Sequence, residues 1–139
     1  MQKHRKKKVS KSEIDKVISL CPNWLRAVVE FAYGTGMRLG EIVNLKWYNI
    51  DFQKAIVFIT LEMTMSGKPS EVKLNTSTLR LLKKLSRDKE SDYIFCDRKK
   101  HPLNPASVHR AFQLVIKKAG LAGIAFYSLR NAAINKRNK

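Results

Sequence analysis

The sequence predicts an α+β domain that is mostly helical, with one small antiparallel β-hairpin or sheet. Three observations lead to this class. Helix-capping residues precede segments with a helical apolar period, one central segment is instead rich in β-branched and aromatic residues, and a Gly-Lys-Pro run follows that segment. The chain has 139 residues, of which 44% are hydrophobic, which is enough for one compact domain.

The N-terminal segment divides into a basic arm over residues 1–9 and the start of the folded domain, which is expected to cover residues 10–139. Ser10 and Glu13 form an S-x-x-E capping box, which predicts a helix over residues 11–20. The arm fits either a solvated linker or a segment that contacts a ligand.

A second helix is predicted in "WLRAVVEFAY", with Asn23 as its N-cap. This segment is apolar on nearly all sides, so we expect it at the centre of the core. Gly34 and Gly36 are expected to end this helix, and a short third helix is predicted over residues 39–45.

The pattern then changes to that of strands. The runs "AIVFITL" and "EVKLN" predict two strands of a hairpin, and "TMSGKPS" between them predicts a long tip. Three further helices are predicted, from Thr76 or Ser77 to Ser86, from Pro105 to Ala119 and from about Tyr127. Asn104 is the expected N-cap of the second of these, because Pro105 suits the first helical position.

The charge balance points to a polyanionic partner. The chain has 28 Lys and Arg against 11 Asp and Glu, a formal net charge of +17, which favours nucleic acid over an anionic membrane surface or a ribosome-like scaffold. No apolar run is long enough to span a bilayer. Cys21 and Cys96 lie in apolar stretches far apart, as reduced core thiols of a cytoplasmic protein do. His4, His101 and His109 do not lie at zinc-ligand spacings from either cysteine and are interpreted as solvated or loop residues.

The segment "YGTGMRLGEIVNLKW" holds the most informative cation. Arg38 follows two glycines and precedes a predicted helix, whose N-terminal N–H groups would also favour a phosphate or carboxylate. Glu41, one turn on, can hold the guanidinium group in place. The alternative is that Arg38 and Glu41 form only an i,i+3 pair on the surface.

Two motifs and the order of elements closely resemble the catalytic domain of the tyrosine recombinases, the phage integrase family. The family's first motif, T-G-x-R-x-x-E followed by Leu, Trp and Asp, corresponds to Thr35, Gly36, Arg38, Glu41, Leu45, Trp47 and Asp51. Of the second motif, H-x-L-R-H, the chain keeps Leu129 and Arg130. The resemblance extends over essentially the whole chain.

The resemblance implies a function. In the family, two arginines, here Arg38 and Arg130, clamp the scissile phosphate of duplex DNA, and no metal ion or other cofactor is required. A tyrosine attacks phosphorus to give a 3′-phosphotyrosyl link, and a hairpin lysine protonates the leaving 5′ oxygen. Further recombinase subunits on the DNA are implied partners.

The chain departs from the family pattern at several positions. Met65 occupies the expected lysine position, so Lys68 on the hairpin tip is either the general acid or only a backbone-phosphate contact. Tyr127 or, with a slip of one residue, Ser128 replaces the motif histidine, and Asn131 stands where a second histidine often follows.

The family also has a nucleophilic tyrosine on a helix after the second motif. Nine residues follow Arg130 here and none is a tyrosine, so we expect this chain to bind DNA without cleaving it by itself, and its status as an enzyme stays open. Arg80, Lys83 and Lys84 form a basic helix face that is either solvated or follows the duplex. The alternative function is a non-catalytic basic module associated with RNA or ribosomes, in which both arginines are structural.

Overall fold

The computed structural model describes residues 8–63, 67–87 and 91–137, with side chains as far as residue 134. The helices in this part of the chain are α1 (Lys11–Leu20), α2 (Asn23–Thr35), α3 (Leu39–Val43), α4 (Thr76–Ser86), α5 (Pro105–Lys118) and α6 (Tyr127–Arg137). The strands are β1 (Ile50–Asp51), β2 (Ile56–Ile59) and β3 (Ser70–Lys73). The predicted class, mostly helical with a small antiparallel sheet, is confirmed. None of the described helices is long and apolar enough to cross a membrane.

Helix α1 has the bounds that its capping box predicts. The Ser10 hydroxyl accepts a hydrogen bond from the Glu13 N–H at 3.1 Å, and the Glu13 carboxylate accepts one from the Ser10 N–H at 3.0 Å. Its inner face buries Ile14 and Val17 against the core. Val9 also packs against the core, whereas residues 1–7 of the expected basic arm lie outside the described residues.

Helix α2 is the central core helix, as predicted, and it contacts α1, α3, α4, α5 and α6. The prediction that Asn23 caps it is wrong. Pro22 is the N-cap, and its carbonyl accepts hydrogen bonds from the N–H groups of Leu25 and Arg26. Proline suits this place because its fixed φ is compatible with helix entry and it has no N–H to leave unpaired.

The expected end of α2 is also corrected. Gly34 is helical, and only Gly36 leaves the helix, in the left-handed conformation at φ 75°. A Cβ on Gly34 would overlap the Thr78 hydroxyl oxygen of α4, so glycine is required there for close packing of two helices. The two glycines of the motif therefore serve different purposes.

The predicted hairpin is β2 and β3, and β1 adds a third strand that the sequence did not indicate. The order is β1-β2-β3 and both pairs are antiparallel, with Ile50 opposite Val57 and Val57 opposite Val72. Val57 and Ile59 face the core. Residues 64–66 of the hairpin tip, including Met65, lie outside the described residues.

The remaining helices follow their capping signals. Asn75, rather than Thr76 or Ser77, caps α4, since its side chain accepts a hydrogen bond from the Thr78 N–H at 2.8 Å. Asn104 caps α5 as predicted and accepts from the Ala106 N–H at 2.8 Å. The predicted inner residues of α5 are all buried: Val108, Phe112, Val115 and Ala119.

Candidate functional site

The turn between α2 and α3 is built by the first motif. The Thr35 hydroxyl donates to the Phe31 carbonyl at 2.8 Å and accepts from the Met37 N–H at 3.1 Å, which joins the end of α2 to the turn. The Gly36 N–H donates to the Ala32 carbonyl at 2.9 Å. These bonds place Arg38 immediately before α3.

The same turn packs closely on α6. A Cβ built on Gly36 would lie 3.5 Å from the Ala133 Cβ and 3.8 Å from the Arg130 carbonyl oxygen. A side chain at this position would also be strained, because φ is positive. The turn before Arg38 is thus in contact with the helix that carries Arg130, and it is the positive φ rather than the space that requires glycine at position 36.

A buried carboxylate holds Arg38. Glu41 Oε1 accepts a hydrogen bond from the Arg38 N–H at 3.0 Å, and Glu41 Oε2 lies 3.7 Å from Arg38 Nη1. The Glu41 side chain is only 8% exposed, whereas the Arg38 side chain is 51% exposed. The pair is thus anchored in the protein at Glu41 and open to solvent at the guanidinium group.

Helix α3 contributes less to anion binding than the sequence suggests. It has only five residues, so the helix is too short for its N-terminus to bind an anion by itself. Any contact with a negative ligand here depends on the side chain of Arg38.

Arg130 lies on α6 and is partly buried. Its Nε atom is buried and has no hydrogen-bond partner among the described residues. A buried donor without a partner costs about 1–3 kcal/mol, but the same burial closes this atom to a ligand, so a ligand in contact with Arg130 would bind the rest of its guanidinium group.

Arg38 and Arg130 line the same cleft of about 250 Å³. Its complete lining is Met37, Arg38, Leu39, Gly40, His109, Phe126, Tyr127 and Arg130. No carboxylate is among these described residues, so the cleft is cationic. Two arginines from distant parts of the sequence are brought together on one open surface.

The two candidates for the motif histidine position are separated by the fold. Tyr127 lines the cleft and its side chain is 48% exposed. Ser128 is buried, and its hydroxyl accepts a hydrogen bond from the Ala125 N–H at 3.1 Å at the start of α6. Tyr127 therefore occupies the place in the cleft, and Ser128 stabilises the helix end.

The other predicted site residues do not line the cleft. Lys68 is exposed on the hairpin, and Asn131 is partly buried on α6. The predicted basic face of α4 is exposed throughout: Arg80, Lys83 and Lys84.

Sequence reasoning missed His109. It is exposed, as predicted, but it lies on α5 rather than in a loop and lines the cleft, with its ring edge-on to Phe126 at 6.0 Å between centroids. The available signal was helical periodicity, because His109 is three residues before Phe112 and seven before Ile116, both buried. This spacing puts the histidine at the exposed end of the inward face of α5.

Comparison with known proteins gives the family. The model of the phage integrase family matches residues 7–136. The chain is 30% identical over 129 residues to the integrase of Salmonella phage P22, which covers 86% of this chain and 33% of that protein. It is 30% identical over 123 residues to the tyrosine recombinase XerA of Pyrococcus furiosus, covering 83% of this chain and 42% of that one. The chain belongs to the phage integrase family, the tyrosine recombinases.

Solved structures confirm the fold. A crystal structure of a lambda integrase dimer bound to a COC′ core site superimposes with a TM-score of 0.82 at 23% identity, covering 97% of this chain and 53% of that one. A crystal structure of XerA recombinase gives a TM-score of 0.77 at 23% identity, covering 94% and 50%. The chain thus corresponds to part of its relatives, and spans less than half of either curated relative named above. These relatives give no support to the alternative of an RNA- or ribosome-associated module.

Proposed function

We propose that this chain binds duplex DNA and that Arg38 and Arg130 together hold one phosphate of the DNA backbone. The observation that carries the proposal is the cleft that both side chains line. Because the two residues lie on different helical segments, a merely structural role for each would not require them to share an open surface.

Guanidinium groups suit a phosphodiester because their planar N–H forks match two oxygens at a time. Arg38 offers a half-exposed group whose position Glu41 constrains. Arg130 is partly buried and lines the same cleft. A formal net charge of +17 on 139 residues adds a long-range attraction for nucleic acid.

The wider role that we propose is DNA breakage and rejoining by a site-specific tyrosine recombinase in the cytoplasm. A tyrosine oxygen would bond to phosphorus, the P–O5′ bond would break, and the 5′ oxygen would take up a proton. Two guanidinium groups on the non-bridging oxygens stabilise the additional charge of the transition state, without a metal ion. In this proposal another recombinase subunit supplies the tyrosine.

The remaining candidates take lesser roles in this proposal. Lys68 contacts backbone phosphate at the hairpin tip, and the α4 cations Arg80, Lys83 and Lys84 follow the duplex. Tyr127 donates a hydrogen bond to the phosphate from the wall of the cleft. Asn131 supports Arg130 from the next position of α6.

The experiment measures binding of a fluorescent 30-base-pair duplex by anisotropy over a series of salt concentrations. Arg38→Ala and Arg130→Ala should each weaken binding about tenfold or more, since a charge-assisted hydrogen bond contributes about 1.5–3 kcal/mol. Each should also reduce the slope of log K against log salt by about 0.9. Arg38→Lys should not restore full affinity, because lysine cannot form the fork.

Arg98→Ala is the matched control, because Arg98 is exposed in a loop and does not line the cleft. It removes the same charge but at a position outside the cleft, so it should cost much less affinity than either cleft variant. Equal losses for Arg98→Ala and the two cleft variants, with all proteins folded by circular dichroism, would show that only overall charge matters and would refute the clamp.

A further inference from the structure

We propose that His109 is a third phosphate-binding cation of the cleft and that its protonation makes DNA binding dependent on pH. This inference rests on the proposed function, because it concerns the same cleft. The position of His109 is not part of either motif through which the chain resembles its family. In this proposal α5 contributes the imidazole group of the cleft, while Tyr127 occupies the motif histidine position on α6.

The ring of His109 is available for a ligand. The residue is exposed and lines the cleft together with Arg38 and Arg130. Its ring edge contact with Phe126, at 6.0 Å and 82°, restricts its orientation. Among the described residues no hydrogen-bond partner is recorded for its ring nitrogens, in contrast to His101, whose Nδ1 lies 4.0 Å from a carboxylate oxygen of Asp97.

The charges that face His109 determine how it responds to a ligand. Arg38, from the turn before α3, and Tyr127 and Arg130, from α6, line the same cleft as His109. On α5 itself the next residue is Arg110, whose Nη2 is 3.4 Å from the Ser107 hydroxyl. None of these groups is an anion, and the Glu41 carboxylate is directed to Arg38.

A protonated imidazole in this cleft would add a third positive charge to those of Arg38 and Arg130. A bound phosphate supplies the missing negative charge, so binding of DNA and uptake of a proton by the imidazole favour each other. Histidine is suited to this linkage because it is the side chain whose charge ordinarily changes between pH 5 and 8. The result is a cleft that holds a phosphate more tightly as the pH falls through this range.

The test measures the dissociation constant for the 30-base-pair duplex at pH 6 and pH 8 at constant salt. Wild type should bind about tenfold more weakly at pH 8, the size of one charge-assisted hydrogen bond. His109→Gln should lose the tighter binding at pH 6 and show little change between the two pH values. His109→Lys, which stays charged, should keep the tight binding at pH 8.

His101→Gln is the matched control and should retain the pH dependence of wild type. The inference is overturned if His109→Gln keeps the pH dependence, or if His101→Gln or His4→Gln removes it. The arginine variants separate this outcome from failure of the proposed function. Loss of affinity in Arg130→Ala at both pH values, with an unchanged pH profile in His109→Gln, retains the DNA clamp and rejects only the role of His109.

A second readout does not depend on affinity. The ring proton resonance of His109, assigned by its loss in His109→Gln, should shift when inorganic phosphate is added at pH 6. The His101 resonance should shift much less. Equal shifts for both histidines would mean a general ionic effect and would contradict a site at His109.

Discussion

Gly34→Ala tests the packing of α2 against α4, which positions the helix that leads into the cleft. Gly34 is helical, so an alanine there meets no backbone strain. Its Cβ would, however, overlap the Oγ1 of Thr78, which is 3% exposed, and would lie 3.4 Å from the Thr78 Cβ and 3.7 Å from its Cγ2. The Thr78 side chain must rotate or α4 must move.

Two effects of opposite sign decide the magnitude. Alanine gains up to about 0.8–1.0 kcal/mol over glycine in a helix interior, and less near the helix end. Overpacking of a buried contact costs about 1–3 kcal/mol. The clash is with a branched side chain that is enclosed on all sides, so we expect a net loss of about 1–2 kcal/mol. For a domain of 139 residues this lowers the Tm by roughly 3–7 °C.

The assay is thermal and urea unfolding followed by circular dichroism, in the wild-type and Thr78→Ala backgrounds. Without the Thr78 hydroxyl the nearest atom is the Cβ at 3.4 Å, which is close to ordinary contact. Gly34→Ala should then be neutral or stabilising by up to about 0.5–1 kcal/mol, so its sign should change between backgrounds. The same destabilisation in both backgrounds would refute the assignment of the cost to this hydroxyl.

Three further predictions concern the site and the core. Glu41→Ala removes the acceptor of the Arg38 N–H, so it should destabilise the protein by about 1–2 kcal/mol in urea unfolding. It should weaken duplex binding less than Arg38→Ala does. Glu41→Gln should recover most of the stability, and equal losses of stability for both variants would contradict this. Burial raises the pKa of the Cys21 thiol from 9.0 to about 11. At pH 8 the thiolate fraction of Cys21 should therefore be roughly 100-fold lower in the folded protein than in the protein unfolded in urea. The rate of alkylation by iodoacetamide, followed by peptide mass spectrometry, should fall by the same factor. The stability that this neutral thiol contributes is complete below pH 9 and is lost as the pH rises toward 11; equal alkylation rates would reject the burial. Finally, this polypeptide alone should form no covalent adduct with a nicked suicide duplex on a denaturing gel, because no tyrosine follows Arg130, and an adduct mapped to Tyr127 would contradict that expectation.

Local signals in the sequence predicted the elements whose partners are close in the chain. The capping box of Ser10 and Glu13 gives the bounds of α1, and Asn104 begins α5, because donor and acceptor lie within one helical turn. Errors of one residue occur where two residues can serve as the cap. Asn75 caps α4, and Pro22 precedes α2, because the neighbouring polar residues already lie inside the helix.

The candidate site was predicted unevenly. Arg38 and Glu41 are three residues apart, and their pairing follows from the sequence. That Arg38 should meet Arg130 followed from the resemblance to the family and not from any local pattern. His109 was missed because its own helix does not indicate which neighbouring helix it will face.

Sequence alone thus settled the class of fold, the family and most helix boundaries, because these depend on composition, motifs and contacts within a few residues. Tertiary packing decided which side chains share the cleft. The approach of Gly36 to α6 brings Arg38 to Arg130, and the packing of α5 on Phe126 adds His109. Such meetings depend on contacts between residues far apart in the chain, which form only when several helices bury their apolar faces against one another at the same time.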